Sequence, residues 1–279
     1  MTSIRHFIES WRDRFKEAGI DDARLNAELL LAHALGVGRN DVALRLDESL
    51  SDVTLKAANA LCERRLKHEP VDYIIGRREF FGREFHVEPG VLIPRPETEL
   101  IIELVRKLQP DLAGRAADVG SGSGALAVTL AVEFPALQVL ATDLHPTPLK
   151  VTRGNAERHG VASRVFCARM DGLSAGASGF DLVVSNPPYV TPEEYTDLQA
   201  EVRDHEPKEA LVGGPDGLAV ALRVLTQVAE RLKPGGYLLM EHGMQQGNAL
   251  REAALTAGFA EVRTERDYAG RDRILVARA

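Results

Sequence analysis

The stretch DVGSGSGALAV, residues 118–128, joins an apolar strand pattern to an apolar helical pattern through three alternating glycines. The segment RAADVG at its start has the length and composition of a buried strand. Gly120, Gly122 and Gly124 then permit a tight turn and a close backbone approach to a ligand, because they carry no Cβ atom. The next helix has unpaired N–H groups in its first turn. The stretch therefore predicts a strand, a ligand-binding loop that includes Ser121 and Ser123, and a helix.

The alternation of strand and helix patterns continues through the rest of the chain. Five more short apolar segments follow: ALQVLATD, SRVFCARMD, FDLVVSNPP, GGYLLMEHG and DRILVARA. Such alternation predicts an α/β fold with a doubly wound, mostly parallel sheet. Ligands of these sheets bind at the carboxyl ends of the strands, near the point where the strand order reverses. We therefore expect the functional residues at the ends of the strands.

The first part of the chain has a helical pattern instead. Apolar residues recur there on one face of each predicted helix, and Ser51 is a candidate N-cap. Residues 71–95 mix glycines and prolines with β-branched and aromatic residues, which favours a β-hairpin. The sequence thus predicts a small helical bundle in residues 1–70, a hairpin connector in residues 71–95 and the α/β domain in residues 96–279.

The composition is that of an ordinary globular protein, with 44% hydrophobic and 27% charged residues. The net charge of -7 argues against broad attraction to a nucleic-acid backbone. Cys62 and Cys167 lie far apart without metal-ligand spacing, as is typical of a reducing compartment. The N-terminal region has no apolar signal core, and no stretch is long enough to span a membrane. We expect a cytoplasmic monomer that binds no metal and no membrane and contacts no nucleic acid directly.

Two further strand patterns end on acidic residues. Asp143 ends ALQVLATD, where a carboxylate can accept hydrogen bonds from two ribose hydroxyls or can cap the next helix. Asp171 and Gly172 follow SRVFCARM, where an acid can accept a hydrogen bond from the exocyclic amine of adenine, although Asp-Gly also forms a simple turn. The glycine loop also matches the dinucleotide pattern, so that loop and acid together suit NAD or S-adenosylmethionine.

The corner NPPY, residues Asn186–Tyr189, follows the strand pattern FDLVVS. Its two prolines remove two backbone donors and fix two φ angles, so the corner is stiff. It presents two acceptors, the side-chain oxygen of Asn186 and the carbonyl oxygen of Pro187, and Pro188 has no N–H group to engage them. Two such acceptors suit a planar NH2 group with Tyr189 against its flat face, whereas a structural turn is the other explanation of the prolines.

The NPPY corner resembles the motif of S-adenosylmethionine-dependent methyltransferases that modify amino nitrogens, and the glycine loop and Asp143 are similar to the cofactor motifs of that superfamily. The resemblance implies S-adenosylmethionine rather than NAD as the cofactor. It implies that the four residues of the corner bind the acceptor group, with Asn186, Pro187 and Tyr189 catalytic. The cofactor contacts that it implies are Gly120, Ser121, Gly122, Ser123, Gly124, Asp143, Asp171, Gly172 and Asn186.

Three longer stretches resemble the bacterial release-factor glutamine methyltransferases: REFFGREFHVEPGVLIPRPETEL, VVSNPPYV and LLMEHGMQQG. The helical first part followed by a hairpin is similar too, so the resemblance covers nearly the whole chain. It implies a seven-stranded, Rossmann-like methyltransferase sheet. It also implies methylation of the side-chain amide nitrogen of the glutamine in the Gly-Gly-Gln loop of peptide chain release factors, which the helical domain would help to hold.

The same resemblance bears on residues outside the two motifs. Arg95 and Glu97 in IPRPETE would line or close the active site, or else only staple the hairpin to the next helix. Family members can carry an aromatic residue where Gly172 stands, so Gly172 is expected to contact the cofactor through its backbone alone. Glu241 and His242 are expected to be mainly structural, because a strand-end acid followed by a turn glycine needs no ligand.

Three other functions stay open. A methyltransferase that acts on DNA adenine or an rRNA base is supported by a basic cluster near the connector, made of Arg64, Arg65, Lys67, Arg77, Arg78 and Arg83. The chain is acidic, and outside the N-terminal helices it has no spare region for a target-recognition domain. Both points argue against that function. A regulatory protein that binds the cofactor without transfer activity is another possibility. Such a protein needs only the glycine loop and the acid, so the presence of the corner argues against it. A nicotinamide oxidoreductase has no use for the corner.

Overall fold

The computed structural model describes residues 2–174 and 178–279. Contacts divide the chain into two compact units, one of Met1–Arg77 with Gln199–His205 and one of Arg78–Leu198 with Glu206–Ala279. The inclusion of a late segment in the helical unit was not expected from the sequence. The predicted domain limits at residues 70 and 95 stay a prediction.

The described residues form short and medium-length helices and two sheets. The helices are α1 (Ile4–Glu17), α2 (Ala23–Leu35), α3 (Arg39–Leu44), α4 (Asp52–Arg65), α5 (Val71–Ile75), α6 (Glu99–Leu108), α7 (Ala125–Glu133), α8 (Pro146–Arg158), α9 (Pro192–Thr196), α10 (Ala200–His205), α11 (Ala219–Ala229) and α12 (Gly247–Thr256), with 3-10 helices at Pro96–Thr98 and Lys208–Ala210. The strands are β1 (Arg77–Phe80), β2 (Arg83–His86), β3 (Gly114–Val119), β4 (Leu137–Asp143), β5 (Val165–Arg169), β6 (Phe180–Ser185), β7 (Leu232–Glu241), β8 (Glu261–Arg266) and β9 (Asp272–Arg278). Of the described helices, none has both the length and the apolarity needed to cross a membrane.

The helical unit follows from its amphipathic sequence. Its core contains the predicted apolar face of α1. Ser51 caps α4 as predicted, because its hydroxyl accepts a hydrogen bond from the Thr54 N–H group at 3.1 Å. The buried guanidinium of Arg65 on α4 pairs with Glu201 on α10, which anchors the late segment in this unit.

The second unit is built on a seven-stranded sheet of order β5-β4-β3-β6-β7-β9-β8. Strands β3 to β7 are parallel, whereas β9 runs antiparallel to both β7 and β8. This sheet confirms the predicted α/β fold. Strand β8 was not predicted, because its sequence has no apolar segment. As an edge strand it keeps its side chains only partly buried.

The strand order reverses between β3 and β6. Strand β3 has β4 on one side and β6 on the other, and Val119 at the end of β3 pairs with Ser185 at the end of β6. The loops that leave these two strands therefore start side by side. In doubly wound sheets this is the place where ligands bind.

The predicted hairpin is formed by β1 and β2. Phe81 and Gly82 connect the strands with φ angles of 51° and 70°, as a tight two-residue turn requires. Asn155 on α8 fixes the end of β2, because its side chain accepts from the His86 N–H group at 2.8 Å and donates to the His86 carbonyl at 3.0 Å. These contacts attach the end of the hairpin to α8.

Candidate active site

A cavity of about 350 Å³ lies at the carboxyl ends of β3, β4, β5 and β6. Most of the residues that the sequence singled out line it, namely Gly120, Ser121, Gly122, Ser123, Asp143, Asp171, Gly172, Asn186, Pro187 and Pro188. Gly124 and Tyr189 do not belong to this lining. All of the lining residues belong to the second unit.

Glycine is needed at the three positions of the loop for two different structural reasons. Gly120 and Gly122 have φ angles of 76° and 54°, and a Cβ atom on either would meet no protein atom within 4 Å. Their backbone therefore borders open space, as a closely approaching ligand requires. A Cβ atom on Gly124 would lie 2.8 Å from Cγ2 and 3.0 Å from Cα of Thr152. Gly124 is required because α7 and α8 pack closely at this point.

Neighbouring elements hold the glycine loop in place. The N–H groups of Gly120 and Ser121 both donate to the carbonyl oxygen of Thr142 at 2.9 Å. The side-chain amide of Asn155 donates to the carbonyl oxygen of Ser123 at 2.8 Å. The loop is therefore shaped before any ligand arrives, which reduces the entropy cost of binding.

Asp143 supports the loop and still faces the cavity. Its carboxylate accepts hydrogen bonds from the N–H groups of Gly122 at 3.2 Å and His145 at 3.0 Å. An ionised carboxylate has about four acceptor positions, so capacity remains for hydroxyl groups of a ligand. The residue at the N-cap of α8 is His145 rather than Asp143. Asp143 is therefore not the cap of α8, and its ligand-binding role stays a prediction.

Asp118, in the cavity wall, is a candidate that the sequence analysis did not single out. Its side chain is buried, and Oδ2 accepts a hydrogen bond from the Ala127 N–H group at 3.0 Å. Oδ1 has no hydrogen-bond partner among the residues that the structure describes. Burial, together with a smaller effect of the nearby Asp143, raises the pKa of Asp118 to about 7. A buried carboxylate oxygen without a partner suits a cationic ligand group.

The end of β5 leads to Asp171 and Gly172. Arg223 on α11 pairs with the Asp171 carboxylate at 3.2 Å and also lines the cavity, although nothing in the sequence marked it. Gly172 has a φ angle of 59°, and a Cβ atom there would lie 2.0 Å from Oε1 of Gln227. This oxygen accepts a hydrogen bond from the Leu173 N–H group at 2.7 Å. Gly172 can therefore offer a ligand only its backbone.

The NPPY corner follows β6 on the same side of the cavity. In residues 2–174 and 178–279, no group donates a hydrogen bond to the Asn186 side-chain oxygen or to the Pro187 carbonyl. The Asn186 NH2 group, by contrast, is engaged with the Thr98 hydroxyl at 3.0 Å. The corner thus has two acceptors available to a group with two N–H hydrogens.

A hydrogen-bonded network supports the corner. It joins Asn186 and Tyr189 to the side chains of Thr98 and Glu241. The Thr98 hydroxyl donates to one oxygen of Glu241 at 2.6 Å, and the Tyr189 hydroxyl donates to the other at 3.2 Å. Burial raises the pKa of Glu241 and that of Tyr189 above their ordinary values. Thr98 was not predicted as a site residue, although it lies in the segment IPRPETE. Glu241 contacts the corner through this network, which adds to the structural role expected of it.

Arg95 and Glu97, both in the segment IPRPETE, lie in different surroundings. Arg95 lines the cavity and pairs at 2.5 Å with Glu206, a buried carboxylate that also accepts from the Ile93 N–H group at 3.1 Å. Glu97 is not part of the cavity lining and pairs with Arg271 at 3.8 Å. Arg95 is therefore placed to act at the site, whereas Glu97 is placed to fix the segment.

His242 has the surroundings of a structural residue. Its side chain is buried, and Nδ1 donates to the carbonyl oxygen of Gly243 at 2.8 Å. Burial lowers the pKa of His242, which favours the neutral ring. His242 lines neither of the two cavities near the corner.

A second cavity, of about 490 Å³, lies on the other side of the corner. Tyr189 lines it together with Met244 and Gln246, and Gln246 donates to the Tyr189 carbonyl at 3.0 Å. Asn186, Pro187 and Pro188 line the first cavity and Tyr189 the second. The corner therefore stands between two spaces of comparable size.

Two family models match the chain in separate regions. The PrmC N-terminal domain matches residues 6–76, and the methyltransferase small domain matches residues 98–208. The second region contains the glycine loop, both strand-end acids and the corner.

Curated relatives match over almost the whole chain. The release factor glutamine methyltransferase of Nitratidesulfovibrio vulgaris is 41% identical, over 99% of this chain and 95% of that protein. The release factor glutamine methyltransferase of Geobacter sulfurreducens is 38% identical, over 99% of this chain and 96% of that protein. Among solved structures, the Thermus thermophilus 16S rRNA N2 G1207 methyltransferase in complex with AdoMet and guanosine has a TM-score of 0.53 at 23% identity, over 72% of this chain and 49% of that one. That likeness supports the fold.

Proposed function

The chain belongs to the release factor glutamine methyltransferase family, and we propose that it methylates the side-chain amide nitrogen of the glutamine in the Gly-Gly-Gln loop of peptide chain release factors. One observation carries the proposal. Asn186 Oδ1 and the Pro187 carbonyl accept no hydrogen bond from the described residues, and they border a cavity with an open glycine loop. A primary amide is a planar group with two N–H hydrogens, which matches two acceptors.

S-adenosylmethionine is the methyl donor in this proposal, and the cavity fits it. When bound, it supplies a methyl group that is already activated by a positively charged sulfur. Gly120 and Gly122 leave space for it beside the backbone, and Asp143 keeps acceptor capacity for ribose hydroxyls. Asp171 would accept a hydrogen bond from the exocyclic amine of adenine. Oδ1 of Asp118, which has no partner among the described residues, favours a positively charged group nearby.

The corner overcomes the weak nucleophilicity of an amide nitrogen, whose lone pair is conjugated with its carbonyl. By accepting both N–H hydrogens, Asn186 and Pro187 orient that lone pair towards the methyl donor. They also favour the more tetrahedral and partly positive nitrogen of the transition state. Positioning of this kind can supply several kcal/mol, up to about 7–11 kcal/mol. The amide nitrogen would form a bond to the methyl carbon as the methyl–sulfur bond breaks and the neutral thioether of S-adenosylhomocysteine leaves. The nitrogen would then lose one proton to solvent, so a strong base is not required.

Tyr189 has a supporting role at the acceptor side. Its hydroxyl is tethered to Glu241, and its ring lines the second cavity. We assign the second cavity to the approach of the acceptor and the first to the methyl donor. The Tyr189 ring then packs against the flat face of the amide, as the sequence suggests.

The helical unit is the proposed binding region for the release factor. It contributes no residue to the lining of the first cavity, so its surface is not needed to build that site. It also corresponds to a family model of its own, over residues 6–76. Cytoplasmic location and a monomeric state stay predictions from the sequence.

The nucleic-acid alternative loses part of its support. Arg64 pairs with Glu69 at 2.8 Å, and Arg83 pairs with Glu133 at 2.6 Å. Arg65 is buried and paired with Glu201. These pairings neutralise half of the basic cluster that suggested contact with phosphates.

A comparison of three acceptors tests the proposed function. The purified chain is mixed with labelled S-adenosylmethionine and, separately, with a bacterial release factor, duplex DNA and ribosomal RNA. We expect label on the release factor alone. Label on either nucleic acid with none on the release factor would establish the alternative function instead.

A further inference from the structure

Glu241 is a fully buried carboxylate, 1% exposed, at the end of β7. Arginine or lysine within ion-pair distance would explain it, but none of the described residues forms such a pair with it. Its two oxygens instead accept the hydroxyl hydrogens of Thr98 and Tyr189. Such a buried carboxyl group is costly, and burial raises its pKa, so the two hydroxyl groups are the contacts that hold it in place.

The hydrogen count gives this network a direction. The Thr98 hydroxyl has a single hydrogen, which it donates to Oε2 of Glu241 at 2.6 Å. The Thr98 oxygen is then an acceptor, and its second contact, with Asn186 at 3.0 Å, must come from a donor. Asn186 therefore presents its NH2 group to Thr98.

The opposite orientation of the Asn186 amide is disfavoured. It would bring two oxygens, Asn186 Oδ1 and Thr98 Oγ1, to about the present 3.0 Å without a hydrogen between them. The amide of an isolated asparagine has no such preference. Thr98 and Glu241 together thus decide which atom of Asn186 faces the cavity.

We propose that Thr98 and Glu241 are positioning residues, which act through Asn186 by holding its side-chain oxygen towards the acceptor nitrogen. The inference deepens the proposed function and rests on it for the identity of the acceptor. If the amide turned over, its NH2 group would face the NH2 group of the acceptor, and one of the two hydrogen bonds of the corner would be lost. Glu241 also holds the Tyr189 hydroxyl, so both side chains of the corner share one support.

Two matched pairs of variants test this role. Thr98→Val keeps the shape of the side chain but removes the hydroxyl, whereas Thr98→Ser keeps the hydroxyl. Glu241→Leu removes both acceptors, whereas Glu241→Gln can place its oxygen towards Thr98 and its NH2 group towards Tyr189. For each variant, kcat, KM for the release factor, cofactor Kd and the unfolding midpoint are measured.

We expect the apolar member of each pair to lower kcat by about 10- to 100-fold while cofactor Kd stays unchanged. Ser and Gln should recover most of that loss. The inference is overturned if Thr98→Val has the kcat of the unmodified protein, or if Val and Ser lower kcat equally. Should Thr98→Val fail to fold, the same comparison between Glu241→Leu and Glu241→Gln decides.

Failure of the proposed function is distinguishable from failure of this inference. If the unmodified protein methylates a nucleic acid and not a release factor, the same four variants are measured with that acceptor. A Val-to-Ser difference would then uphold the positioning role and reject only the acceptor. Normal transfer to the release factor by Thr98→Val would reject the positioning role and leave the acceptor assignment standing.

Discussion

Val119 and Ser185 are paired residues at the ends of the neighbouring parallel strands β3 and β6, and the Ser185 hydroxyl donates to the Val119 carbonyl at 2.7 Å. The glycine loop begins immediately after Val119, and the NPPY corner begins immediately after Ser185. The contact between Val119 and Ser185 places the proposed cofactor loop beside the two proposed acceptors for the amide. The pairing of β3 with β6 would thus bring the proposed methyl donor and acceptor together.

Replacement of Asn186 by alanine separates binding from transfer. The variant loses one of the two acceptors but leaves the glycine loop, Asp118 and Asp143 in place. We expect kcat to fall by about 100-fold or more, while the cofactor Kd measured by calorimetry changes far less than kcat, because the other cofactor contacts remain. Asn248→Ala, an exposed asparagine on α12, is the matched control and should retain full kcat. Loss of cofactor binding in Asn186→Ala would mean that the corner is only structural.

Gly124→Ala should destabilise the fold through packing. The new Cβ atom would lie 2.8 Å from Thr152 Cγ2, in a backbone with a φ angle of 79°. Gly160→Ala is the control, because its φ angle of 71° is similar but its Cβ atom meets nothing within 4 Å. We expect the free energy of unfolding in urea to fall by about 1–3 kcal/mol more for Gly124→Ala than for Gly160→Ala. Equal losses would show that backbone conformation alone requires Gly124.

Gly172 and Gln227 should be energetically coupled. An alanine at position 172 displaces the Gln227 amide, which lies 2.0 Å from the Cβ position and accepts from the Leu173 N–H group. In a double-mutant cycle of Gly172→Ala and Gln227→Ala, the second substitution should cost less when the first is present. We expect a coupling of about 0.5–3 kcal/mol in the free energy of unfolding. Additive losses would contradict the contact.

Asp118 should make the stability of the ligand-free protein depend on pH. Its pKa is raised from 3.8 to about 7 on folding, so between these values the folded state binds more protons than the unfolded state. Its contribution to stability is therefore greatest below pH 3.8 and declines as the pH rises towards 7. Asp118→Asn removes this decline. The check is urea unfolding of both proteins at pH 5 and pH 8, reported as the difference between them.

The same group should link proton release to binding of a cationic cofactor. Positive charge near Asp118 favours its ionised form, so the affinity for S-adenosylmethionine should increase as the pH rises through about 7. In Asp118→Asn this increase should be reduced. Identical pH profiles of Kd in the two proteins would remove Asp118 from the cofactor site.

The sequence predicts those parts of the site that depend on local order along the chain. The glycine loop, Asp143, Asp171 and the corner each follow an apolar strand, and parallel strands bring their ends to one edge. Thr98 and Glu241 could not be paired in this way, because 143 positions separate them and their contact depends on how the hairpin segment crosses the sheet. The inclusion of Gln199–His205 in the helical unit likewise depends on a long-range contact, between Arg65 and Glu201.

The difference between Gly124 and its two neighbours is also invisible in the sequence. All three glycines alternate in one loop and all have positive φ angles. Only the packing of Thr152 from α8 shows that Gly124 serves the contact between helices, whereas Gly120 and Gly122 border open space.

Transfer of labelled methyl to a release factor, compared with a release factor whose Gly-Gly-Gln glutamine is replaced by alanine, tests the central claim most directly. In the proposed mechanism a primary amide lies between Asn186 and Pro187, so label should appear on the intact release factor and be absent from the substituted one. Equal labelling of the two release factors would contradict the assignment of glutamine as the acceptor.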